Sequence, residues 1–129
     1  MYNNDVRKIM RQLMPDCADE LSTFVYDFML EASYTSEAFL SAEAMAKSFT
    51  TVRHDYATEY YVEFSLFPSP RLRMSNKLRK AMLKMLRDLA KSYRLDGDVS
   101  MSTLRVIMPC GLVDIYLSDK KVAITCYRK

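Results

Sequence analysis

The sequence predicts an α+β fold in a single domain covering residues 1–129, and three observations predict it. Apolar residues recur with helical spacing through residues 1–50. The period changes to two between residues 56 and 67, and two is again the period of three short runs beyond residue 100. A long amphipathic stretch, residues 75–94, separates these two regions. The expected arrangement is a helical N-terminal part (1–50) followed by a β-α-β-β-β part (51–129). Its four-stranded mixed sheet would be covered by helices, the long basic amphipathic one among them. Fifty residues make a marginal core alone, so both parts are expected to share one.

The first helix is read over residues 4–14, where Val6, Ile9, Met10, Leu13 and Met14 form one face, Asn3 or Asn4 caps and Pro15 stops it. The second runs over 16–33 with Asp16 as its N-cap and Leu21, Phe24, Val25, Phe28, Met29 and Ala32 as its core face. A weaker third helix covers 36–49, with Thr35 or Ser36 as cap and Phe39, Leu40, Met45 and Phe49 inward. Tyr60, Val62, Phe64 and Leu66 then alternate with Glu59, Tyr61, Glu63 and Ser65, which is a strand ended by Pro68 and Pro70. Ser75 caps the long helix, and Gly97 in the Leu95–Asp98 run closes it. Three strands follow, alternating at Leu104, Val106 and Met108, at Val113, Ile115 and Leu117, and at Val122, Ile124 and Cys126. The short turns between them imply an antiparallel meander. If the first strand runs parallel to its neighbour, the helical crossover is right-handed.

Composition narrows the function classes. With only Gly97 and Gly111, the chain has no glycine-rich loop to cradle a phosphate or dinucleotide. No run of 18 apolar residues and no secretory leader pattern is present, which points to a cytoplasmic protein without a membrane span. Cys17, Cys110 and Cys126 are odd in number and lack metal-site spacing, so reduced, buried thiols are expected. The methionines are read as core filling, and no cofactor or metal is implied.

The net charge of +3 hides a strong asymmetry. Residues 1–70 hold five basic and eleven acidic residues, residues 71–94 nine and one, and residues 95–129 five and four. The segments therefore carry −6, +8 and +1. At ~100° per residue, Lys77, Lys80, Lys84, Arg87, Lys91 and Arg94 share an arc of about 100°, opposite Leu78, Met82, Met85, Leu86, Leu89 and Tyr93. Arg71 and Arg73 extend this ridge. Like charges at these spacings repel, and only Asp88 offsets them, so the pattern points to a polyanionic partner. Contacts of this kind are made with phosphates and fix position without reading bases.

Asp16, Glu20, Asp27 and Glu31 form an acidic counterpart on the second helix. Both ridges are expected to point outward, so that they pair between copies in a homo-oligomer, or with another protein, and not within one chain. Tyr56, Tyr60 and Tyr61 cluster on one strand, with Tyr116 and Tyr127 on others. An outward Tyr61 and Tyr127 would offer stacking surfaces. Two chemical constellations are conceivable from the residue types alone. His54, beside Asp55, with Cys110 would make a base and nucleophile, and Asp96 and Asp98 with Asp114 a divalent-ion site. Neither has local support.

The expectation is a small non-enzymatic binding or regulatory protein that engages a polyanion, nucleic acid first, through residues 75–94. The alternative is a protein-interaction module, such as an inhibitor or accessory factor of mobile-element or viral type, using the acidic helix or the tyrosine-rich sheet edge. An acidic protein surface is a further possible target of the basic ridge.

Overall fold

A computed structural model describes residues 3–53 and 60–129. The α+β class holds, but the sheet has six strands and every pairing is antiparallel, which corrects the four-stranded mixed sheet. In chain order the elements are α1 (Asn4–Leu13), a short 3-10 turn (Pro15–Cys17), α2 (Ala18–Thr35), α3 (Ala42–Lys47), β1 (Thr50–Arg53) and β2 (Tyr60–Ser65). Then follow α4 (Asn76–Ser92), β3 (Asp96–Ser100), β4 (Thr103–Met108), β5 (Gly111–Leu117) and β6 (Lys121–Arg128). The spatial order is β1-β2-β6-β5-β4-β3.

Helix boundaries follow local chemistry. Asn3 caps α1 by accepting the Asp5 N–H at 2.8 Å, and Ser75 caps α4 by accepting the Leu78 N–H at 3.1 Å. Asp16 does not cap α2. Pro15 opens a 3-10 turn that contains Asp16, and α2 starts beyond it at Ala18. The third helix is shorter than its apolar pattern suggests and is capped by Ser41. The residues before it are held by tertiary contacts instead: the Leu40 N–H donates to the Leu66 carbonyl at 2.7 Å, and the Phe39 and Phe67 rings meet edge to face at 5.0 Å.

The crossover explains the sheet order. Helix α4 has 17 residues, about 25 Å at 1.5 Å per residue. Residues 66–75 first take the chain from β2 past the β5–β6 turn, where the Met74 N–H donates to the Asp119 carbonyl, and α4 then runs against β4 and β3 to the far edge. There β3 starts a meander that returns through β4 and β5 until β6 pairs with β2. Gly97 therefore lies within β3, not at the helix end. The left-handed residue that follows α4 is Arg94, at φ 58°. Gly111 is the glycine the backbone demands: its φ is +147°, and an added Cβ would collide with the Tyr127 carbonyl oxygen across the β5–β6 pair.

One face of the sheet is the core. Val62, Phe64, Leu104, Val106, Val113 and Ile115 are buried beneath the helices. Phe28 of α2 and Phe49 both meet Phe64 edge to face, at centroid distances of 6.4 and 5.3 Å. Met10, Met14, Met29, Met45, Met82 and Met108 fill the same core. No helix among the described residues is long and apolar enough to cross a membrane.

The cysteines depart from expectation. Cys17 and Cys110 form a disulfide with a Cα–Cα distance of 6.2 Å, tying the start of α2 to the β4–β5 turn. Spacing along the chain does not reveal this pair, because the two residues are 93 positions apart and only the folded sheet brings them together. Arg128 reinforces the junction by donating to the Gln12 and Leu13 carbonyls at 2.8 and 3.1 Å, at the C-terminal end of α1. Closing so long a loop constrains the unfolded chain strongly. Cys17→Ala with Cys110→Ala is expected to cost ~2–4 kcal/mol, read as a lower urea midpoint. Equal midpoints for the oxidised protein and the double variant would contradict this.

Candidate polyanion-binding face

Helix α4 places its cations by burying its other side. Met82, Leu83, Leu86, Leu89 and Ala90 are buried. Leu78, Met85 and Tyr93, expected within the apolar arc, are only half-buried. The buried arc is thus turned by about 50° from the one the sequence suggests, toward Leu83 and Ala90. The turn follows from neighbours on two sides. Strands β3 and β4 lie against it, with Ala90 beside Gly97, while α2 runs along the flank, where the Thr35 hydroxyl lies 3.7 Å from the Met85 sulfur.

The rotation does not bury the ridge. Lys77, Lys80, Lys84, Arg87, Lys91 and Arg94 are all exposed, as are Arg71 and Arg73 ahead of the helix. Among the described residues, none of these eight enters an ion pair. The contrast is Arg79, which lies off the ridge, is largely covered and pairs with Asp119 in the β5–β6 turn.

Both ends of α4 are anchored. Before it, the Met74 N–H donates to the Asp119 carbonyl at 2.8 Å, and Lys120 donates to the Pro70 carbonyl. At its end, the Leu95 N–H returns to the Ala90 carbonyl at 3.0 Å. Tyr93 packs edge to face on Phe24 at 5.6 Å, and its hydroxyl donates to Asp27 of α2. The ridge is therefore a rigid line of charge.

Of the acidic residues, Asp16, Glu20 and Glu31 are exposed, and Asp27 is half-buried. Asp27 turns toward α4 as the acceptor for Tyr93, and Glu31 lines a shallow groove with Lys84, Met85 and Asp88. Helices α2 and α4 lie side by side, yet among the described residues no acid of α2 forms an ion pair with a cation of the α4 ridge. Asp16 and Glu20 remain exposed at the other end, beside the disulfide.

The chemical alternatives resolve differently. His54, Asp55 and Tyr56 lie outside the described residues. Cys110, weighed as a nucleophile, has its sulfur bonded to Cys17. Asp96, Asp98 and Asp114 do not converge. Arg105 stands between Asp98 and Asp114 in the strand register and holds Asp114 with two bonds, at 2.8 and 2.9 Å. The Asp114 hydrogen bond raises the Arg105 pKa. Among the described residues, no group of three or more His, Cys, Asp or Glu side chains is placed to hold a metal ion. Comparison with family models, with curated proteins and with solved structures gives no match.

Two consequences are measurable. Removing the Tyr93 hydroxyl as Tyr93→Phe is expected to cost about 1–2 kcal/mol. Asp27→Ala should add little to that in a double-mutant cycle, and fully additive losses would contradict the bond. Cys126 is partly covered on β6, and burial pushes its thiol up to about 12. At pH 8 its thiolate fraction is about one in ten thousand. Iodoacetamide should leave it intact in the folded, oxidised protein and alkylate it after denaturation. Rapid alkylation of the native protein would contradict that burial.

Proposed function

We propose that the chain is a non-catalytic binding protein that engages a polyanion, with a nucleic-acid backbone as the best fit, through the outer face of α4 extended by Arg71 and Arg73. The observation that carries this reading is a row of exposed cations without ion-pair partners among the described residues, on a helix whose opposite side is locked into the core. Self-repulsion along such a row disfavours the isolated protein and is relieved when phosphates neutralise it. Contacts from a helix lying on its side, without an exposed end entering a groove, set position and leave base identity unread.

A membrane-surface role would need a free apolar face, and that face of α4 is buried. Glu31, beside Lys84, moderates the ridge locally without pairing it. A protein-interaction role rests on a different surface, the side of the sheet away from the helices.

The test is a salt titration of binding to a fluorescent duplex oligonucleotide. With six to eight phosphate contacts, log K should fall against log salt with a slope of roughly −5 to −7. Replacing Lys80, Lys84, Arg87 and Lys91 together with Ala should reduce that slope by about 3 to 4 and leave the far-UV spectrum unchanged. A slope near zero, or an unchanged slope in the quadruple variant, would overturn the proposal.

A further inference from the structure

The two ends of the Cys17–Cys110 bond differ in kind. Cys17 is buried and is the N-cap residue of α2, and its side chain makes no capping bond. Cys110 is half-buried and stands in the turn between β4 and β5. Both line an open groove of about 480 Å³, a size that suits a small molecule. Charges of both signs border it, Asp16 and Glu20 on the helical side and Arg128 and Lys129 on the other. Asp19, also in the first turn of α2, is paired with Arg7 at 2.8 Å. A mixed border of this kind complements a zwitterionic, amino-acid-derived molecule better than a simple anion or cation.

These differences set the direction of a thiol exchange. An attacking thiolate needs access to a sulfur, and the bond breaks more readily when the expelled thiol has the lower pKa. The more accessible end is Cys110. The expelled sulfur is then that of Cys17, which comes free at the N-terminal end of an 18-residue helix. There the first-turn N–H groups and the helix dipole stabilise a thiolate. Cys126 does not compete, because burial pushes its thiol up to about 12 and keeps it protonated near neutral pH.

Opening the bond leaves both sulfurs where they are. Arg128 still holds the end of α1 through the Gln12 and Leu13 carbonyls. The Lys129 N–H donates to the Cys110 carbonyl at 3.0 Å, and Leu13 and Met14 are buried in the core. The reduced cysteines therefore remain neighbours, and the bond can close again. A bond that served only to shorten the unfolded chain would need neither the groove nor the capping position.

We propose that Cys17–Cys110 is a reversible thiol-exchange site for a small zwitterionic thiol of the glutathione class, with Cys110 as the sulfur attacked and Cys17 as the leaving and resolving thiolate. In the first step the incoming thiolate bonds to Cys110 Sγ, the Cys17–Cys110 bond breaks, and the electron pair of that bond leaves on Cys17 Sγ. The mixed disulfide then has two fates. Cys17 attacks Cys110 Sγ and releases the small thiol again, or a second small thiol attacks the sulfur of the first. The second route yields the small-molecule disulfide and two protein thiols, so two electrons and two protons pass from the small thiols to the protein. The site does not rest on the polyanion reading.

The experiment has two arms. In the first, the oxidised full chain is treated with reduced glutathione at neutral pH, quenched with acid, labelled with N-ethylmaleimide in denaturant and mapped by mass spectrometry. Glutathione should be found on Cys110 and maleimide on Cys17, at a rate that urea below the unfolding transition leaves unchanged. Excess oxidised glutathione should restore the bond in the fully reduced chain. The second arm follows the ultraviolet absorbance of the thiolate in Cys110→Ser. With Cys126 protonated, the titration reports Cys17, and its midpoint should lie below the ordinary thiol value of about 8.5. A bond that does not open, one that opens only as urea unfolds the chain, glutathione attached to Cys17, or a bond that does not re-form would each overturn the proposal. So would a Cys17 midpoint at or above the ordinary value.

Discussion

Everything else in this molecule depends on the burial of one side of α4. Met82, Leu86, Leu89 and Ala90 leave water only by packing into the core between the sheet and α2, and the sheet has an apolar face only if its strands keep register. Burying four such side chains is worth several kcal/mol, a large share of the net stability of a domain this size. The same contact dictates two outcomes. It holds α2 at the flank of α4, where Tyr93 meets Phe24 and Asp27. It turns the cations outward, since Lys77, Lys80, Lys84, Arg87 and Lys91 all lie on the part of the helix left exposed after burial.

The cations are costly to keep together, which makes their placement informative. Arg79, on the covered side of the same helix, is given a carboxylate partner, while its exposed neighbours are given none among the described residues. The two surfaces of the protein differ in kind for that reason. The helix side is open-ended electrostatically, with charge that an incoming polyanion would neutralise. The sheet side instead holds its cations in ion pairs, Arg105 with Asp114 and Lys121 with Glu63, and carries Asp96 and Asp98 on its edge strand. The two surfaces point in opposite directions, so occupation of one leaves the other accessible.

Much of this was legible in the sequence, and the parts that were not have physical reasons. The alternation at Val62, Phe64, Val106, Ile115 and Ile124 marks the core face, because period two is a local property of a half-buried strand. Ser75 and Asn3 mark helix starts for the same local reason. Two strands escaped. Thr50–Arg53 is too short to show a period, and Asp96–Ser100 carries Asp and Gly, which strands generally avoid and an edge strand tolerates. Gly97 resembled a helix stop, yet Arg94 takes the left-handed position. Strand order and the Cys17–Cys110 bond are tertiary facts that no spacing encodes. At the candidate site, the sequence placed all the ridge cations on the exposed side. It did not reveal that Asp27 serves Tyr93, because helical spacing states which residues share a face and not which neighbour that face meets.

The most direct test of this account is a lysine footprint. The oxidised protein is treated with limiting acetic anhydride, with and without a duplex oligonucleotide, and modification is read at each lysine by mass spectrometry. Protection confined to Lys77, Lys80, Lys84 and Lys91, with Lys8, Lys47 and Lys121 unchanged, is the predicted result. Equal modification of all lysines in the presence of the duplex, or protection centred on Lys8 or Lys47, would contradict the claim that the outward face of α4 is the binding surface.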